Sequence, residues 1–111
     1  MTFLYLNSDR MGQGKKELGE KLLVSFLKKL AESDIKVDLI GCVNSGIFLT
    51  TDGSQVIDSL SALQDKGAHI ATCGTCLDFH NKRDELLIGE IGSMDDTVRI
   101  FATADRIIQP C

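Results

Sequence analysis

The sequence contains no tryptophan, only one proline and no long uninterrupted apolar segment. No apolar run approaches the roughly 20 residues that a helix needs to span a bilayer, so we expect no membrane contact. The segment at residues 1–7 lacks the basic start of a signal peptide and soon becomes polar. We therefore predict that it is a strand and not a signal peptide. These absences predict a cytoplasmic chain, in a compartment where thiols stay reduced.

A basic stripe is also missing from the chain. Proteins that bind nucleic acids carry clustered lysines and arginines that neutralise phosphates. Here the formal net charge is −4, and acidic and basic residues are interspersed along the sequence. We therefore expect no nucleic-acid partner.

The motifs of several common enzyme classes are absent as well. Gly12 and Gly14 follow the first predicted strand, but Glu17 stands where a dinucleotide-binding fingerprint requires its third glycine. There is no GxxxxGK[ST] motif, and Ser45 lacks the GxSxG context of a serine hydrolase. The glycine loop is therefore either a simple turn or a site for a small anion or a partner.

The composition is that of a single globular domain, with 111 residues of which 43% are hydrophobic and 25% charged. We predict strands at residues 2–7, 36–43, 68–73, 87–91 and 105–109, and a brief extended piece at residues 47–49. Helices are predicted from Lys15 through Leu30, from an Asp52 cap to Gly67, at residues 82–86, and from a Ser93 cap onward. The residues predicted to face inward from the first and last of these helices are Leu18, Leu22, Leu23, Phe26, Leu27 and Leu30, and Val98, Ile100 and Phe101.

Strands that alternate with helices indicate an α/β fold, with a parallel sheet covered by helices on both faces. Ligands of such sheets bind outside the carboxyl ends of the strands. The loops expected at that edge supply the candidate residues for a ligand or partner pocket, which are Asn7, Ser8, Asp9, Gly12, Gly14, Asn44, Ser45, Gly46, Gly74 and Thr75.

Cys73 and Cys76 form a C-x-x-C motif directly after the third predicted strand. A thiolate with a second thiol nearby is the arrangement that sulfur exchange requires, and the small Gly74 and Thr75 should leave the approach open. Two other interpretations stay open. The pair is either two inert buried cysteines or half of a metal site, which Cys42, Cys111, His69 or His80 would have to complete.

Several segments together resemble the DsrE-like superfamily. They are Asn7-Ser8-Asp9 with Met11-Gly12-x-Gly14 and Leu18-Gly19, and Asn44-Ser45-Gly46 with Thr51-Asp52-Gly53-Ser54. The stretch Cys73-Gly74-Thr75-Cys76-Leu77-Asp78-Phe79, with Gly89-Glu90 through Met94, resembles more specifically the YedF-type branch, sulfurtransferase-like proteins linked to selenium metabolism. This resemblance runs through essentially the whole chain.

The resemblance implies a three-layer α/β/α sandwich around a five-stranded parallel sheet. It also implies that the protein passes sulfur or selenium between cysteines as a persulfide-type adduct, without a cofactor or a metal. The resemblance implies that Cys73 is the reactive cysteine and Cys76 the second thiol. If a helix begins at this turn, its free N–H groups would instead favour Cys76 as the reactive thiolate. The implied partners are sulfur-donor and acceptor proteins, including a TusA-like carrier expected on a separate chain, and further copies in a homo-oligomer.

Two classes of function therefore follow from the sequence. The first is a sulfur or selenium relay on the C-x-x-C cysteines. The second is a non-catalytic module that binds a metal or small ligand, or senses redox state, at the same edge of the sheet.

Overall fold

The central sheet of the protein, in a computed structural model that describes all residues from Met1 to Cys111, has five parallel strands. The strands are β1 (Thr2–Leu6), β2 (Leu39–Cys42), β3 (His69–Cys73), β4 (Glu90–Gly92) and β5 (Arg106–Ile108). Their order across the sheet is β4-β3-β2-β1-β5. All carboxyl ends therefore lie at one edge, as the pattern of strands and helices predicts.

The helices lie on both faces of this sheet. They are α1 (Lys16–Glu32), α2 (Ile57–Asp65), α3 (Gly74–Phe79) and α4 (Met94–Thr103), with two 3₁₀ helices at Asn44–Leu49 and Arg83–Glu85. From β1 to β4 the chain moves in one direction across the sheet, and it then crosses back to β5. Right-handed connections therefore place α1 and α2 together on one face and α4 on the other. The predicted α/β/α sandwich with a five-stranded parallel sheet is confirmed.

The main core lies between the sheet and the α1–α2 face. Leu23 and Leu27 of α1 are fully buried there, against the alternate strand residues Leu4, Leu6, Ile40 and Ile70. Leu18 and Leu22 were expected on the same face, but they are 56% and 45% exposed. The buried stripe of α1 consists of Gly19, Leu23, Leu27 and Leu30, so it is narrower than predicted.

The second face of the sheet is covered by α4 alone. The ring of Phe101 packs edge-on against Phe3 at 5.3 Å and against Tyr5 at 4.8 Å between centroids. No residue of α4 is fully buried, and Val98 is 61% exposed. The prediction that Val98 turns inward with Ile100 is wrong, because Val98 lies on the outer side of a helix that contacts the sheet on one side only.

Local details also differ from the predictions. Residues 47–49 are not extended, since they belong to the 3₁₀ helix Asn44–Leu49. Asp52 does not cap α2, because the hydroxyl of Ser54 accepts the Val56 N–H at 3.1 Å and the helix begins only at Ile57. The helix predicted at residues 82–86 is the short 3₁₀ helix Arg83–Glu85.

Two predicted helix ends are confirmed. The Ser93 hydroxyl accepts the Asp96 N–H at 3.3 Å and so caps α4. Gly67 adopts a φ of +109° and ends the turn after α2, where a residue without Cβ is favoured. None of the helices combines the length and apolar character needed to cross a bilayer.

Candidate functional site

Three of the predicted loops meet at the carboxyl edge of the sheet. The N–H of Asp9, after β1, donates to the Ser45 hydroxyl at 3.3 Å. Gly46 packs so tightly on the end of β1 that a Cβ at this position would lie 2.1 Å from the Leu6 carbonyl oxygen. The absence of a side chain at Gly46 therefore lets the Asn44–Gly46 loop lie directly over the end of β1.

The same loop contacts the cysteine pair through Asn44. The Asn44 N–H donates to the sulfur of Cys76 at 3.1 Å. Asn44 has a φ of +51°, the left-handed region that asparagine tolerates better than most residues. Asn44 is also the first residue of the 3₁₀ helix, so this backbone conformation lies at the junction of that helix with the cysteine turn.

Cys73 and Cys76 occupy different surroundings although only two residues separate them. Cys73 is the last residue of β3, and α3 begins directly after it, so the expected loop is the first turn of a helix. Cys73 is 8% exposed and lines a groove of about 310 Å³ between the second face of the sheet and α4. We call this cavity the α4 groove; its wall includes Gly41, Ala71, Cys73, Thr97 and Ile100. Cys76 is half-buried at the carboxyl edge.

The electrostatics favour a protonated Cys76. Burial raises the pKa of the Cys76 thiol, the Asn44 amide partly offsets this, and a side-chain hydrogen bond with Cys73 raises the pKa again. Cys76 is therefore held as a thiol, whereas Cys73 opens into the α4 groove.

Tyr5 is a site residue that the sequence analysis missed. Burial raises the pKa of the Tyr5 phenol, and the charges that Cys76 and Cys73 would carry as thiolates raise it further. Tyr5 alternates with the buried Leu4 and Leu6 on β1. In the sequence, the only sign that Tyr5 belongs to the site is its position two residues before Asn7, a predicted pocket residue. The alternation of one strand does not show which residues of the other strands lie near it.

Buried contacts fix the position of the cysteine turn. The hydroxyls of Thr50 and Thr72 hydrogen-bond at 2.8 Å inside the protein, one residue before Cys73. A Cβ on Gly74 would lie 3.0 Å from both Ile91 Cγ2 and the Arg83 guanidinium. Gly74 is buried, so its small size serves this packing and not the open approach expected from sequence, whereas Thr75 is exposed.

The other predicted pocket residues lie at varying distances from the thiols. The Ser8 carbonyl accepts a weak hydrogen bond from Cys111 at 3.7 Å, and the Asp9 carboxylate pairs with Arg10 at 3.1 Å. Gly12 and Gly14 are exposed, and nothing lies within 4 Å of a Cβ placed on either. No hydrogen bond links these two glycines to the cysteine turn. The structure thus groups Asn44, Ser45 and Gly46 with the cysteines and leaves the glycine loop outside.

The remaining cysteines and histidines do not complete a metal site. Cys42 is fully buried, which raises its pKa to about 12. His80 packs between the rings of Phe48 and Phe79, with centroids at 5.0 Å and 5.1 Å. No group of three or more histidine, cysteine or carboxylate side chains has a geometry that could hold a metal ion. The alternative of a metal-binding module is therefore not favoured.

Comparison with solved structures supports the fold at low sequence identity. MTH1491 of Methanobacterium thermoautotrophicum, a protein of unknown function, aligns with a TM-score of 0.71 and 20% identity over 98% of this chain and 97% of its own. The YchN protein of E. coli aligns with a TM-score of 0.62 and 15% identity over 97% of each chain. Both are DsrE-like proteins.

The fold is DsrE-like. At these identities the likeness concerns the architecture alone. No protein-family model matches the chain, and no curated protein matches it in sequence. The function must therefore be argued from the residues at the edge of this DsrE-like sheet.

Proposed function

We propose that this protein is a YedF-type sulfur or selenium relay, which carries a persulfide-type adduct on Cys73 and uses Cys76 as the second thiol. The observation that supports this most directly is the pairing of two unlike sulfurs. Cys73 lines the α4 groove, whereas Cys76 lies half-buried at the carboxyl edge with an amide N–H on its sulfur. All four cysteines are free thiols, so neither sulfur is consumed in a disulfide.

The loading step needs no cofactor. The Cys73 thiolate attacks the outer sulfur of a donor persulfide, R–S–SH. The bond between the two donor sulfurs breaks, and the donor leaves as the thiolate R–S⁻. Cys73 then carries –S–SH with the outer sulfur and its proton, and the charge is conserved without an oxidant or a reductant.

The neighbouring groups fit this step. Cys76, whose raised pKa keeps it protonated, lies in the same turn as Cys73 and is available to donate a hydrogen bond to a Cys73 thiolate. The raised pKa of Tyr5 keeps its phenol neutral, so it adds no negative charge near the sulfurs. When the acceptor thiolate takes the outer sulfur, Cys73 returns to the thiolate.

Intact-mass measurement after mixing with a persulfide donor tests the proposal. We expect the chain to gain the mass of one sulfur atom, and Cys73→Ser to abolish that gain. Cys76→Ser should still gain the sulfur, and Cys111→Ser serves as the control because it removes an equally half-buried thiol from another part of the edge. An adduct that survives in Cys73→Ser and in the double variant with Cys76→Ser would contradict the relay.

The proposal includes the partners and the compartment. The reducing cytoplasm suits a chain with four free thiols, and donor and acceptor proteins, including a TusA-like carrier, would exchange sulfur with it. A membrane or a nucleic acid has no place in this scheme. We also propose that the protein forms a homo-oligomer through the outer side of α4, where Val98 is 61% exposed.

A further inference from the structure

The α4 groove owes its volume to small residues on neighbouring strands. Gly41 of β2 and Ala71 of β3 line it, and a Cβ on Gly92 of β4 would lie 3.0 Å from the Ala71 Cβ. The volume of about 310 Å³ is close to the lower end of ligand pockets, roughly 300–1,000 Å³. A groove of this size accommodates a small molecule but not a folded partner.

Cys73 is the reactive sulfur that a molecule in this groove would meet. Cys42 also borders the groove, but it is fully buried and its pKa is raised to about 12, so it stays a thiol. Cys76, by contrast, lies at the carboxyl edge, next to the exposed Thr75. The two cysteines can thus be reached from different sides of the protein.

The groove is bordered by charges of both signs that have no partner inside the chain. Arg99 and Asp96 of α4 and Glu90 of β4 line it, and none of the three takes part in an ion pair. A guanidinium pairs favourably with a carboxylate, and carboxylates pair with an ammonium group. This set complements a zwitterion, and a single α-amino acid carries both of those groups.

We propose that the α4 groove binds a low-molecular-weight α-amino acid persulfide, of which cysteine persulfide is the simplest, as the sulfur donor for Cys73. The inference rests on the relay function proposed above and names its donor. Arg99 holds the carboxylate, and Asp96 or Glu90 holds the ammonium group. The Cys73 thiolate takes the outer sulfur with its proton, the donor S–S bond breaks, and the amino acid leaves as its thiolate.

The test compares two low-molecular-weight persulfide donors on the full chain, one with and one without the charged groups of an amino acid. Cysteine persulfide is prepared from cystine and sulfide, and 2-hydroxyethyl persulfide is prepared in the same way from the hydroxyethyl disulfide, which has neither charged group. Initial rates of single-sulfur addition to Cys73 are followed by mass spectrometry with peptide mapping. Arg99→Gln is compared with Arg106→Gln, since Arg106 is an exposed arginine of β5 outside the groove.

We expect the wild-type chain to react at least about tenfold faster with cysteine persulfide, which corresponds to about 1.4 kcal/mol. Arg99→Gln should lower that ratio of rates, and Arg106→Gln should keep it. Equal rates with the two donors, or a ratio that Arg99→Gln leaves unchanged, would overturn the inference while leaving the relay intact. Failure of both donors to load Cys73 would overturn the relay and the inference together.

Discussion

Asn44 holds a left-handed backbone conformation directly beside the cysteine pair, with its N–H 3.1 Å from the Cys76 sulfur. A β-branched residue is strained at such a φ by about 1–2 kcal/mol, so Asn44→Val should let the loop relax and withdraw the amide. Since that amide lowers the pKa of Cys76, its loss raises the pKa further. We expect the pH midpoint of Cys76 alkylation to rise by about one unit, in line with a hydrogen bond to a charged group.

Asn44→Gly is the matched control, because glycine adopts positive φ without strain and keeps the N–H. Its alkylation profile for Cys76, followed by peptide mapping, should match that of the wild-type chain. An unchanged midpoint in Asn44→Val would show that the amide does not stabilise the Cys76 thiolate.

Single residues differ in how far the sequence reveals them. Cys73 and Cys76 can be recognised from their spacing alone, because two cysteines three positions apart after a strand are suited to thiol chemistry whatever the tertiary contacts are. Tyr5 cannot be recognised in this way, since the cysteines whose charges affect its pKa lie about 70 positions away in sequence. The pairing of Asn44 with Cys76 was equally hidden, although both residues were individually placed at the correct edge.

The junction between β1 and the Asn44–Leu49 helix positions the site. Gly46 is its tightest point, because a Cβ would lie 2.1 Å from the Leu6 oxygen and 2.9 Å from the Leu6 carbonyl carbon. Backbone atoms cannot rotate away as a side chain can, so Gly46→Ala must displace the loop. We expect a loss of about 1–3 kcal/mol in the free energy of unfolding, measured by urea denaturation.

Gly14→Ala is the control for this substitution, because Gly14 is exposed and has no atom within 4 Å of an added Cβ. Its unfolding free energy should stay within about 0.5 kcal/mol of the wild-type value. If Gly46→Ala is as stable as Gly14→Ala, the close approach of the loop to β1 does not constrain the fold.

Element order was predictable because periodicity changes clearly from strand to helix along this chain. The failures concern short elements, where tertiary contacts outweigh local pattern. Residues 47–49 look like a strand, yet Thr50 bonds back to the Ile47 carbonyl and closes a helical turn. The start of α3 at Gly74 was missed for a similar reason, since glycine is a poor helix former and is retained here for packing against Ile91 and Arg83.

One face of the sheet is far less covered by helices than the other. The sequence predicted helices on both faces, but it could not show that α4 alone would cover the second face. The outcome is an apolar surface, which we call the α4 stripe: Met94 is 55% exposed, Val98 61%, Phe101 37% and Ile107 40%. Ile107 is in register with Phe3 and so lies on the same face of the sheet as the Phe3–Phe101 contact.

A contiguous apolar surface of this kind is typical of a protein interface. We propose that a second copy of the chain covers the α4 stripe, which continues the aromatic cluster of Phe3, Tyr5 and Phe101 from the interior to the surface. Wild-type protein should therefore elute in size-exclusion chromatography with light scattering at a multiple of its 12.1 kDa chain mass. Val98→Asp should shift it toward the monomer, because an unpaired carboxylate would be buried in the interface.

Leu18→Asp is the control for assembly, since Leu18 is a comparably exposed apolar residue on α1, on the opposite face of the sheet. It should leave the assembled mass unchanged. Both positions are more than half exposed in the single chain, so an aspartate at either should leave folding intact, which circular dichroism would verify.

A monomeric wild-type protein at micromolar concentration, or equal dissociation of both variants, would contradict an interface at the α4 stripe. Loss of assembly in Val98→Asp alone would place the second copy beside the helix that forms one wall of the α4 groove.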